Sequence, residues 1–129
     1  MITGAHVMLF SEDADADRAF LRDVLGFRYV DAGGGWLIFK LPPAEVALHP
    51  AEHGDDVKHP EGAAMLGASL YLMCEDLKAH MKVLESKNVS CTKASTERWG
   101  IKTTIRLPSG GEIGLYQPKH KTALDIGTD

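Results

Sequence analysis

Leu41-Pro42-Pro43-Ala44-Glu45-Val46-Ala47-Leu48-His49-Pro50 and Leu107-Pro108-Ser109-Gly110-Gly111-Glu112-Ile113-Gly114-Leu115-Tyr116-Gln117-Pro118 are two versions of one phrase. Each leads from Leu-Pro through a turn into Glu, an aliphatic residue, a small residue, Leu and then a polar ring (His49 or Tyr116), with proline close behind. Working upstream from each copy gives the same order of elements. His6-Val7-Met8-Leu9-Phe10 matches Ser69-Leu70-Tyr71-Leu72-Met73-Cys74, and an acidic stretch follows each: Ser11-Glu12-Asp13 and Glu75-Asp76. Aspartate or glutamate there suits the positive end of a helix. Helical patterns come next, carrying Phe20, Leu21, Val24 and Leu25 inward in the first half and Leu77, Met81 and Leu84 in the second. Gly26 and Lys87-Asn88 mark their ends.

Three strand-like stretches follow each helix: 27–31, 36–41 and 45–49, then 89–94, 101–107 and 112–117. Gly33-Gly34-Gly35 and Ser109-Gly110-Gly111 provide turns. The first strands are offset by 63 residues (Ser69 against His6) and the last by 67 (Glu112 against Glu45, Tyr116 against His49). An ordered repeat of this length predicts two tandem βαβββ modules, an α+β class. The expected layout is a single domain over 1–129, with module 1–50, linker 51–67, module 68–118 and a loosely held tail 119–129. One helix covers one face of a four-stranded sheet, so the bare faces of two curved sheets would meet and enclose a cavity. Pairing within one chain or across a homodimer satisfies this equally.

The net charge of −4, with Lys and Arg scattered, argues against nucleic acid, which needs clustered cations. The run Lys119-His120-Lys121 reads as a solvated terminus. Residues 1–10 lack the basic start and long apolar stretch of a secretion signal, and no segment approaches the ~20 apolar residues of a membrane span. Two cysteines, Cys74 and Cys91, cannot make a disulfide framework, and neither sits in a CxxC pair or beside a histidine. The expectation is a cytoplasmic protein with reduced thiols.

The paired βαβββ order, with His6 opening the first strand and Leu25-Gly26-Phe27 after the first helix, resembles the vicinal oxygen chelate superfamily over about residues 4–118. That superfamily includes glyoxalase I, extradiol dioxygenases and the fosfomycin- and bleomycin-resistance proteins. The resemblance implies a glyoxalase-like fold and a site between the sheets. In metal-dependent members it also implies four ligand positions, on the first and last strands of each module. Here those positions hold His6, Ala47, Ser69 and Gly114. A catalytic divalent site needs about three protein ligands, and His6 is the one usual ligand retained.

Residues two apart share a strand face, so His49 accompanies Ala47, while Glu112 and Tyr116 accompany Gly114. Two readings follow. In the first, the protein is a metal-independent binder of an apolar or aromatic small molecule. Its wall comprises His6, Met8, Ala47, His49, Ser69, Tyr71, Met73, Gly114 and Tyr116, with Trp99 at the rim. The small residues Ala47, Ser69 and Gly114 would leave room where a metal normally sits. In the second, Ni, Zn, Mn or Fe occupies a rearranged site of His6, His49 and Glu112, giving a lyase or dioxygenase of the glyoxalase type. A metal-free enzyme would instead use His49 or Glu112 as general base, with Tyr116 polarising a carbonyl. Met and Tyr on these faces also suit a plain inter-sheet core. His53 and His59 read as surface residues. Phosphonate chemistry of the fosfomycin type is disfavoured by the expectation that no Lys or Arg faces the cavity.

Overall fold

The computed structural model describes residues 1–50, 57–58 and 64–126. Helices α1 (Ala14–Asp23) and α2 (Leu77–Ser86) are each started by an aspartate. Asp13 accepts a hydrogen bond from the Ala16 N–H at 3.2 Å, and Asp76 accepts one from the Ala79 N–H at 3.1 Å. Each aspartate thereby satisfies an otherwise unpaired N–H of its first turn. Both helices stop where a left-handed residue reverses the chain, at Gly26 (φ 72°) and Asn88 (φ 63°). The Phe27 N–H then closes on Leu21 O and the Val89 N–H on Leu84 O, both at 3.0 Å.

The second half forms the expected unit with one shift: the strand expected over 89–94 forms at Ser95–Glu97, and Cys91 makes only an isolated bridge to Ile105. Strands β5 (Tyr71–Met73), β6 (Ser95–Glu97), β7 (Gly100–Arg106) and β8 (Glu112–Pro118) lie in the order β5-β8-β7-β6, with β5 parallel to β8 and the other pairs antiparallel. Ile105 and Leu115 of this sheet and Leu77 and Leu84 of α2 are fully buried. Each contributes about 1.5–3 kcal/mol of burial. Gln117 ties strand to helix, accepting the Leu77 N–H at 3.0 Å.

The first half departs from the expected pattern. It keeps α1 and one antiparallel hairpin, β1 (Tyr29–Asp31) with β2 (Leu37–Phe39), whose glycine turn is held by Asp31 accepting the N–H groups of Gly33 and Gly35. Residues 6–10 and 45–49 form no strand. The reason lies in what α1 covers. Phe20 belongs to the core of Leu77, Ile105 and Leu115, with Leu21, Val24 and Leu25 packed against it. Helix α1 therefore gives its apolar side to the second half's core, and residues 6–10 and 45–49 stay uncovered. Phe10 is 77% exposed and Val46 87% exposed. The α+β class stands, but the sheets are not closed.

Within the stretch expected as linker, β3 (Val57–Lys58) and β4 (Ala64–Met65) pair antiparallel. His53 and His59 lie outside the described residues. Among the described residues, no helix is long and apolar enough to cross a membrane. The tail differs from its expectation. Lys119 N–H bonds Trp99 O at 2.8 Å, and the Ala123 N–H, at the start of a single 3-10 turn (Ala123–Asp125), bonds Glu45 Oε1 at 2.8 Å. Residues 119–126 thus run back across the sheet to the first half.

Candidate aromatic ligand site

Ile113 and Leu115 enter the core, so Gly114 and Tyr116 face the other side of β8. Register then places their neighbours. Tyr71 stands beside Gly114 and Met73 beside Tyr116 on β5, while Thr104 and Lys102 oppose the same two residues on β7. The outer face around Tyr116 is an aromatic cluster. The Tyr71 ring meets Tyr116 edge-on at 5.9 Å between centroids, Trp99 does so at 5.7 Å, and His120 stacks on it at 6.0 Å. Edge-to-face geometry at these separations is the favoured aromatic arrangement. Tyr116 is 9% exposed, while Tyr71 and Trp99 keep 38% and 42% of their surface open. Two partly open rings thus flank a covered one.

Backbone chemistry positions Trp99. The next residue is Gly100, where a Cβ would stand 2.5 Å from Gln117 O. Only glycine permits β7 and β8 to approach this closely, and the Lys119 N–H fixes the Trp99 carbonyl from the other side. The tail supplies His120. The Lys121 carbonyl lies 2.8 Å from Nδ1 and accepts its N–H, and the Tyr116 hydroxyl is hydrogen-bonded to Nε2 at 2.9 Å. The hydroxyl to which the sequence assigned a carbonyl is therefore engaged by His120.

Burial, with the charge of Glu45 second, raises the Tyr116 pKa above its ordinary value of 10.0. A raised folded-state value favours the neutral phenol, so this group's contribution is constant below pH 10 and declines as pH rises through the folded value. Denaturant unfolding between pH 8 and 11 should show a steeper alkaline loss in the native chain than in Tyr116→Phe; equal slopes would refute this. Burial likewise raises Cys74, and burial followed by Glu85 raises Cys91, leaving both as poorly nucleophilic thiols at neutral pH.

The other expected site residues do not join this cluster. His6, Met8, Ala47, His49 and Ser69 are exposed, and none lies in a strand. His49 turns its Nδ1 to the Pro50 carbonyl at 2.9 Å, and Glu112 accepts the Thr104 hydroxyl at 2.7 Å. Among the described residues, no three His, Cys, Asp or Glu side chains are placed to hold a metal, so His6, His49 and Glu112 do not converge within the chain. The metal position at Gly114 does not fit a ligand for a second reason. A Cβ there would collide with the Tyr71 ring, whose Cγ lies 2.7 Å from it. The space expected to be vacant over Gly114 is filled by Tyr71.

Sequence reasoning missed Lys102, Glu45 and His120. A signal for Lys102 existed, because Ile101, Thr103 and Ile105 alternate with Lys102, Thr104 and Arg106 along β7. Burying the isoleucines sends both cations to the outer face, contrary to the expectation of none there. A groove of about 680 Å³ lies elsewhere, between Phe27 and Pro42 of the first half and Met73 and Val83 of the second. Asp76 on its rim is already engaged in capping α2.

A helix-backed βαβββ sheet carrying an aromatic outer face, with a second helix and hairpin from a repeated half, defines a paired-module α+β protein. The family model of the Glyoxalase/Bleomycin resistance protein/Dioxygenase superfamily matches residues 4–113, and the chain belongs to that superfamily. Among solved structures it is similar to lactoylglutathione lyase from Agrobacterium tumefaciens (18% identity, 89% of this chain and 92% of that one, TM-score 0.59). It is also similar to TnmS3, an antibiotic binding protein from Streptomyces sp. CB03234 (22% identity, 92% and 100%, TM-score 0.51). An integron cassette protein from the mobile metagenome of V. Cholerae shares the fold (21% identity, 91% and 98%, TM-score 0.52). No curated protein matches the chain.

Proposed function

We propose that this protein binds a flat aromatic small molecule on the outer face of β5, β8 and β7 without a metal. The supporting observation is the cluster itself: two partly open rings, Tyr71 and Trp99, set edge-on to the covered Tyr116. Such a surface offers π-faces and apolar area to a planar ligand at low side-chain entropy cost. Isothermal titration of the full chain with 2-naphthylmethanol tests it. Saturable binding that weakens roughly tenfold in Trp99→Leu, the equivalent of about 1.4 kcal/mol, is expected. Heat indistinguishable from dilution would overturn the reading. One equivalent of Ni, Zn, Mn or Fe in chelator-free protein, lost in His6→Ala, would instead establish the metal-dependent lyase or dioxygenase.

Two copies of the chain are proposed to associate through residues 6–10 and 45–49. The repeat aligns these segments with β5 and β8, which pair in the second half, yet Val7, Met8, Phe10, Val46 and Leu48 are exposed. Exposed apolar side chains in this number support an interface there. Sedimentation equilibrium should give twice the chain mass, and Phe10→Asp should return a single-chain mass. A single-chain mass for the unaltered protein would remove the proposal.

A further inference from the structure

The outer face carries charge as well as aromatic surface, and the charges are unevenly satisfied. Its acids all have partners: Glu97 accepts the Ser95 hydroxyl at 2.7 Å, Glu112 the Thr104 hydroxyl at 2.7 Å, and Glu45 the Ala123 N–H at 2.8 Å. Lys102 differs. Its Nζ stands 5.4 Å from the Trp99 ring centroid, directly across the register from Tyr116. Among the described residues it makes no ion pair, since the ion pairs found are Arg18–Asp15 and Arg22–Asp23, both on α1. The segment that covers Tyr116 brings Lys119 and Lys121 alongside, on either side of His120. Hydrogen bonds from neutral donors leave those three carboxylates charged, so this end of the sheet carries both signs, with Lys102 the cation set against the rings.

Lys102 is half-buried against the indole, so its stem is packed and its ammonium is directed over the aromatic cluster. A planar ring laid against Tyr71 and Trp99 would bring a substituent on its edge to that ammonium. We infer that the ligand is an aromatic acid, its ring on Tyr71 and Trp99 and its carboxylate on Lys102. This rests on the proposed aromatic site and adds the ligand's charge and the residue that reads it. A partly desolvated ammonium–carboxylate contact is stronger than a neutral hydrogen bond.

Paired titrations of the full chain with 2-naphthoate and 2-naphthylmethanol separate the two statements. In the native chain the acid should bind roughly tenfold more tightly than the alcohol, a ratio that shrinks with added salt. Lys102→Met should bring the ratio close to one, while Lys102→Arg should preserve most of it; an unchanged thermal midpoint verifies that both variants are folded. Equal affinities for the two probes in the native chain would overturn the aromatic-acid inference and leave the aromatic site standing. An acid preference that survives Lys102→Met would overturn the role of Lys102. Failure of both probes to bind would overturn the site and the inference together.

Discussion

Asp17→Ala is expected to lower unfolding stability by about 2–4 kcal/mol, because three hydrogen bonds to one carboxylate are lost and a backbone donor is orphaned. Asp17 is 9% exposed. Its Oδ2 accepts the hydroxyls of Ser11 (2.6 Å) and Ser109 (2.7 Å), and its Oδ1 accepts the Ser109 N–H (3.0 Å). Ser109 lies in the turn between β7 and β8, so this carboxylate pins a helix of the first half to the sheet of the second across 92 residues of sequence. It also sits in the first turn of α1, where the helix dipole favours a negative charge. Asp17→Asn should cost less, since its amide oxygen still accepts the Ser109 N–H and the serine hydroxyls can rotate to accept from its NH2. Urea unfolding followed by circular dichroism measures both variants. A loss under about 1 kcal/mol for Asp17→Ala would show that the apolar contacts of Phe20 alone seat α1.

Gly114→Ala is expected to cost about 1–3 kcal/mol, as an added methyl forces the Tyr71 ring from its place. The collision involves ring atoms out to Cε2 and in to Cγ, so a change at the tip of the side chain cannot relieve it. Tyr71→Ala removes the obstacle, and in the double variant the alanine at 114 should cost little beyond the loss of Tyr71 itself. A double-mutant cycle would therefore show a coupling of about 1 kcal/mol or more between these contacting residues. Additive losses would mean that the ring does not rest on Gly114. The same geometry predicts that restoring a carboxylate by Gly114→Glu recruits no metal while Tyr71 is present.

Much of the architecture was legible in the sequence. Asp13 and Asp76 cap the helices, Gly26 and Asn88 end them, and the apolar residues read as inward-facing enter the core. These features are local, set by periodicity and by the chemistry of helix ends. Strands β5, β7 and β8 were legible for the same reason, since the alternation of Ile113 and Leu115 with Gly114 and Tyr116 assigns each residue to a face; β6, expected over 89–94, forms at Ser95–Glu97 instead. The first half misled because its strand-like composition states a capacity to pair. Whether residues 6–10 and 45–49 pair depends on whether a layer covers them, and α1 gives its apolar side to the second half's core.

The candidate site was half legible. Tyr71, Trp99 and Tyr116 were all singled out from the sequence, and the structure brings them together. His6, His49 and Ser69 were singled out on the same parity argument and stand apart from the cluster: for His6 and His49 that argument assumed strands which the first half does not form, and Ser69 lies two residues before β5 begins. His120 was read as tail, since nothing in a Lys-His-Lys run foretells that a carbonyl at Lys121 and a hydroxyl at Tyr116 will hold its ring.

By itself, then, the order of residues determined the repeat and the two helices with their ends, because each is a property of composition or local spacing. Only the tertiary structure decided that α1 belongs to the second half's core, that Tyr71 occupies the space over Gly114, and that residues 119–126 return to cover Tyr116. Those are contacts between segments distant in sequence, and their energies depend on which surfaces meet.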